Sequence, residues 1–262
     1  MRSGKPAAAF AVLLVVSFAV MNTMPSDTLS AALLQEAVLA LVALVAVRFA
    51  VPDVLKRCTQ AVQQRNTVRF AAIALLLTGL IGGTVTLLTW LFADGGNVSG
   101  FVSAALPLAA GLIRNLLLLL GICLLTGVYE EAFMRVLGIE AFERALDTKR
   151  AILASAALFA LLHVGAPDVS AGQLVLLQTA LKFGQALLFG GIMGARYART
   201  RRLWPCAFIH AGFDVLYMAP NVLLTGTMPE TYASGAVGDT VLLAVSVLML
   251  SGIVLKICKE IA

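Results

Sequence analysis

The chain has 262 residues, 60% of them hydrophobic and only 13% charged, with a formal net charge of +5. Soluble domains average about 45–50% apolar and 25% charged residues, so an ordinary soluble domain is excluded. Apolar runs near the ~20 residues a bilayer crossing needs recur along the whole length, which points to a polytopic helical membrane protein. The positive charge is spread over loops and is not read as a nucleic-acid footprint.

Arg2 and Lys5 lead into AAAFAVLLVVSFAVM. A basic stub before an apolar run is also the form of a signal peptide, but no small-x-small cleavage pattern follows, so an uncleaved first span is expected at about 7–24. Further spans are expected at about 29–47, 70–92, 112–128, 151–164, 173–195, 203–224 and 241–257. No soluble domain fits between these eight, so 1–262 reads as a single membrane-embedded, all-α domain with its motif core at about 112–224. Glu36 falls inside the second span and Lys182 inside the sixth. A charge within a span is a functional hypothesis by default, with pairing or snorkelling as the equal alternative. GGIMG at Gly190 to Gly194 has the small-x-x-x-small spacing of close helix contact and is expected to pack within the bundle.

Basic residues test this map, because they collect in the cytoplasmic loops of membrane proteins. Seventeen of the 19 fall at the N-terminus (Arg2, Lys5), in the second loop (Arg48, Lys56, Arg57, Arg65, Arg69), the fourth (Arg135, Arg144, Lys149, Arg150), the sixth (Arg196, Arg199, Arg201, Arg202) and at the C-terminus (Lys256, Lys259). The intervening loops carry Asp27, Asp94, Asp168, Glu230 and Asp239, with Arg114 at a span edge. Both termini are therefore expected on the cytoplasmic side, with EEAFMR toward the cytoplasmic end of the fourth span. Cys58, Cys123, Cys206 and Cys258 have no C-x-x-C spacing and read as apolar filler.

The polar residues within the spans are few. Both histidines of the chain, His163 and His210, sit in apolar helices, and a polar group without a partner in hydrocarbon costs several kcal/mol, order of magnitude ~5. They are expected to face each other or water. Residues four apart share a helix face. Glu131 and Arg135 are so spaced and are expected to pair. Glu130, rotated by roughly 100° from Glu131, is left for general-base chemistry. Phe159 and His163 share a face, so the ring is expected to wall the imidazole. His210 and Asp214 share another, so the carboxylate is expected to orient the imidazole.

E-E-x-x-x-R in one span, F-x-x-x-H in the next and H-x-x-x-D two spans later resemble the CAAX-protease and bacteriocin-processing (Abi, CPBP) family of intramembrane endopeptidases. The resemblance covers Glu130 to Asp214, roughly a third of the chain. It implies that Glu130 and His163 activate a water for attack on a peptide carbonyl. It further implies that His210 and Asp214 stabilise the oxyanion, while Glu131, Arg135 and Phe159 support the site. The family often has asparagine where this chain has Asp214. That leaves Asp214 as a protonated donor, as the group orienting His210, or as a metal ligand. On the metal-free reading no cofactor is needed. On the alternative His163, His210 and Asp214 hold a zinc ion with Glu130 as base. The implied partners are a membrane-associated protein or peptide substrate and the lipid bilayer, with no nucleic acid, and the expected location is the cell membrane. Rival readings are a non-catalytic immunity or chaperone-like membrane factor, a proton-coupled transporter, and a thiol triad of Cys206, His210 and Asp214.

Overall fold

The structure, a computed structural model, describes residues 4–56, 66–93, 109–164, 170, 172–228 and 233–259. Arg2, Arg57, Cys58, Arg65, Asp94, Asp168 and Glu230 lie outside the described residues, as do the side chains of Arg69, Cys258 and Lys259. All regular structure among the described residues is helical. In chain order the elements are α1 (Lys5–Thr23), α2 (Leu29–Ala50), a short α3 (Pro52–Lys56), α4 (Asn66–Ala93) and α5 (Ala109–Glu130). From α5 the chain continues without a break into a π-helical segment (Glu131–Ile139) and a closing turn (Glu140–Phe142). Then come α6 (Thr148–Val164), α7 (Gln173–Thr200), α8 (Leu203–Thr225) and α9 (Val237–Lys259).

Seven of these stretches are long and apolar enough to cross a membrane. The remaining expected span is α6, whose 17 residues extend about 25 Å at the usual rise, at the short limit for a crossing. In hydrocarbon every backbone polar group must be satisfied within the chain, so Leu-, Ala- and Val-rich runs become helices. The threonines in them are satisfied locally: the hydroxyls of Thr78, Thr84 and Thr86 donate to the carbonyls one turn back. The helices are apolar on both faces, as befits a lipid-embedded bundle. Phe18, Phe49, Ile113 and Leu248 project outward while Leu13, Leu39, Leu119 and Leu250 are buried between helices.

Close helix approaches are made at glycines. A Cβ on Gly190 would stand 3.1 Å from the Cα of Ala156, and one on Gly194 would stand 2.9 Å from Ile152. The GGIMG stretch therefore seats α7 on α6, as its spacing predicts. At Gly127 a Cβ would stand 2.6 Å from the carbonyl oxygen of Ala207, so α5 lies hard against α8. Within α8, Pro220 removes the N–H that would bond the Leu216 carbonyl. That carbonyl is turned against Gly83 of α4.

One end of the bundle is held by charge. Arg201, the last-turn cap of α7, is in the left-handed region at φ 50°, a conformation that costs a non-glycine residue roughly 1 kcal/mol. It is held there by ion pairs to Glu140 at 2.6 Å and Glu143 at 2.7 Å. The Arg144 guanidinium lies against Gly4 at this same end. The N-terminus and the fourth and sixth loops thus gather on one side of the bundle, as the basic-residue pattern predicts. Two expectations are corrected. The fourth span does not end at 128: EEAFMR lies in the second half of a continuous apolar stretch, Gly111–Phe142, of 32 residues. Arg135, counted with the fourth loop, is completely buried. The cause is the same in both cases: VLGIEAF stays helical and embedded rather than leaving the bundle.

Candidate active site

Three elements bring the polar residues together. The α5–π junction supplies Glu130 and Glu131, the end of α6 supplies His163, and the first half of α8 supplies His210 and Asp214. A π-helix adds a residue to each turn, and such segments occur often at functional sites. Here all nine of its residues are buried. The Ser155 hydroxyl of α6 donates to the Met134 carbonyl at 2.6 Å, tying the widened segment to its neighbour. The two glutamates diverge at this junction: Glu130 reaches a cavity, whereas Glu131 is 0% exposed.

Glu131 is the centre of a buried chain of contacts. Its Oε2 lies 3.3 Å from Nε of Arg135, which is also 0% exposed. Its Oε1 accepts a hydrogen bond from Nδ1 of His210 at 2.9 Å. The guanidinium of Arg135 stacks over the Phe159 ring, 4.5 Å from its centroid. Phe159 in turn packs on His163 with 4.2 Å between ring centroids. The Glu131–Arg135 and Phe159–His163 pairings are those the spacing predicts. The orientation of His210 is a correction: Glu131 holds its Nδ1, and Asp214, one turn along the same helix, instead meets Nε2 at 3.5 Å. The bond to Glu131 spans 79 residues of sequence, and no local spacing announces it.

Around Glu130 the polar atoms converge. Its Oε2 is 3.4 Å from His210 Nε2 and its Oε1 is 4.0 Å from His163 Nε2. Nδ1 of His163 donates to the Phe159 carbonyl at 2.9 Å, and since a carbonyl only accepts, this fixes the tautomer with Nε2 turned to Glu130. Phe189 of α7 meets His210 edge-on with ring centroids 4.7 Å apart.

Glu130, His163, His210 and Asp214 line one cavity of about 400 Å³. Lys182 of α7 lines it too. Its ammonium donates to Gln185 Oε1 at 3.1 Å, and Gln185 donates to the Tyr217 hydroxyl at 3.3 Å. The sequence singled out Lys182 but not its place. The signal was its i, i+3, i+7 alignment with Gln185 and Phe189, one face of α7. Glu36, the other charge left open, does not line the cavity, but its carboxylate interacts with Thr126, which does. Cys206 is fully buried and does not line the cavity, so the thiol-triad arrangement lacks an accessible nucleophile. Among the described residues no three His, Cys, Asp or Glu side chains form a group able to hold a metal ion. His163, His210 and Asp214 are not drawn together as such a group.

A bundle of apolar helices enclosing this acid–base cluster is that of an integral membrane protein with a polar site at bilayer depth. Residues 112–216 match the family model described as Rce1-like, type II CAAX prenyl endopeptidase Rce1-like. This is the family the three motifs resemble, and the matched segment contains all of them. The match is to part of the chain, and that part is similar to a family of CAAX prenyl endopeptidases. No curated protein matches the chain.

Proposed function

We propose that the protein hydrolyses a peptide bond in a membrane-associated protein or peptide, with a water activated by Glu130 and His163. The observation that carries this reading is the 4.0 Å gap between Glu130 Oε1 and His163 Nε2. It is too long for a direct hydrogen bond and suits a water donating one hydrogen to each acceptor. The water oxygen then has its lone pair free toward the cavity. Glu130 takes the proton as the oxygen bonds to the scissile carbonyl carbon. The same proton passes to the amine as the C–N bond breaks, leaving an acid and an amine. His210 Nε2 meets two carboxyl groups, an arrangement that is attractive only with a hydrogen on Nε2 or on one of them. A hydrogen on His210 or Asp214 is the donor the tetrahedral oxyanion needs. With Glu131 orienting His210, the part left for Asp214 is that of this donor.

The cell membrane is the proposed location. Against the transporter reading stands the closed lower half of the bundle, where the cavity meets the wholly buried π segment. A substrate-independent test compares the peptide termini of membrane proteins, by mass spectrometry, in cells expressing the parent chain and Glu130→Gln. New termini that depend on Glu130 are expected. Identical sets of termini in the two would overturn the proteolytic reading and favour the non-catalytic factor.

A further inference from the structure

We infer that Lys182 determines specificity in the cavity: its ammonium receives the free C-terminal carboxylate of the chain that is cut. The inference rests on the proteolytic reading for the word cut, whereas the carboxylate site itself stands on geometry and charge.

Two polar layers line the cavity. The first is the reaction layer of Glu130, His163, His210 and Asp214. The second is built where α7 and α8 pass each other in opposite directions. Phe189 meets Phe213 with ring centroids 5.0 Å apart. Four residues away along each helix, Gln185 donates to the Tyr217 hydroxyl at 3.3 Å, and that hydroxyl also meets Ser246 of α9. Lys182, one turn from Gln185, donates to its Oε1 at 3.1 Å. The amide is used on both sides, its nitrogen by Tyr217 and its oxygen by Lys182, and so fixes where the ammonium stands. Phe189 also touches the His210 ring, so the layers are separated by four residues of α7, about 6 Å at the usual rise. Extended chain advances ~3.3 Å per residue, so a chain with its scissile carbonyl in the reaction layer reaches Lys182 about two residues further on.

Charge says which group it brings there. Lys182 is the only lysine or arginine among the described residues that line the cavity, and a cation inside a span marks a function by default. Glu130 and Asp214 attract its charge, but both meet His210 Nε2 in the reaction layer. Asp239, the remaining carboxyl group of the lining, accepts from the Ser234 hydroxyl. A backbone carbonyl would be met as well by a neutral donor. A terminal carboxylate forms a charge-assisted bond, roughly twice as strong as a neutral one, and the low dielectric of the bundle strengthens it further.

The test uses the full-length Glu130→Gln protein in detergent micelles, so that peptides are bound without being cut. The probe is a pool of N-palmitoylated decapeptides of randomised sequence, half of them free C-terminal acids and half C-terminal amides. The protein is captured and its bound peptides are counted by mass spectrometry. Free acids are expected to be enriched over amides by roughly ten- to hundredfold. Adding Lys182→Arg should keep the enrichment and adding Lys182→Met should abolish it. Equal capture of acids and amides by Glu130→Gln alone overturns the inference without a second variant, and is the result for a lysine kept only as a counter-charge to Glu130 and Asp214. A preference that survives Lys182→Met overturns it too. In cells, the Glu130-dependent termini are expected within a few residues of the C-termini of the proteins cut, and cuts confined to internal segments count against the inference. Enrichment of acids together with identical termini in parent and Glu130→Gln cells would defeat the proteolytic reading and leave Lys182 as a carboxylate site.

Discussion

The two halves of the bundle are built differently. In the half toward the Arg201 ion pairs, every residue of Glu131–Ile139 is buried, Arg135 included, and charged groups face one another: Glu131 meets Arg135 and His210, and Arg201 meets Glu140 and Glu143. In the half beyond His163, polar groups such as Glu130, Lys182, Asp214 and Tyr217 turn to a shared cavity. Adjacent residues of one helix, Glu130 and Glu131, belong to different halves. The difference teaches that the same residue type serves packing or chemistry according to what it is turned toward, and the boundary is the junction of α5 with the π segment.

Substitutions across that boundary should separate rate from stability. The largest expected effect is on rate: Glu130→Gln removes the proposed base and should lower the yield of Glu130-dependent termini by roughly a hundred- to ten-thousandfold. Thermal unfolding in detergent should be almost unchanged. Equal loss of folding in this variant would erase the distinction between the halves. Next is Glu131→Gln, one residue further on, which leaves the Arg135 charge buried without its counter-charge. It should cost about 3–5 kcal/mol in stability, read as a fall in midpoint by thermal or denaturant unfolding. A variant as stable as the parent would show that the Glu131–Arg135 pair is not what holds the closed half.

Asp214 sharpens the open half. As a donor to the oxyanion, Asp214→Asn should keep or raise activity, since the amide donates without charge, while Asp214→Ala should lose roughly a hundredfold. Loss in both variants, with inhibition of the parent by a chelator and recovery with zinc, would instead restore the metal reading. The smallest effects concern the glycines. Gly127→Ala would press a methyl on the Ala207 carbonyl and should cost about 1–3 kcal/mol by overpacking. Gly191→Ala meets nothing within 4 Å and should leave stability equal or raise it by up to about 1 kcal/mol, the helix-propensity difference. Equal costs at the two glycines, read by the same unfolding assay, would show that close helix contact is not what selects glycine at 127.

The amino-acid sequence by itself determined much of this protein. Runs of apolar residues marked the helical spans, because backbone in hydrocarbon has to bond within its own segment. Spacings of three and four put Glu131 beside Arg135, Phe159 beside His163 and Gly190 against a neighbouring helix, because one turn of helix decides which side chains share a face. The order of the three motifs carried the family resemblance that the match over residues 112–216 bears out. Only the tertiary structure decided that Glu131, not Asp214, holds His210, that Lys182 faces the same cavity as Glu130, and that the fourth span runs on through a π segment to Phe142. Each of these depends on how separate helices are rotated and staggered against one another. That rotation is fixed by contacts such as Gly127 on Ala207 and Ser155 on Met134. In helices apolar on every side, no stripe of the sequence says in advance which face will turn inward.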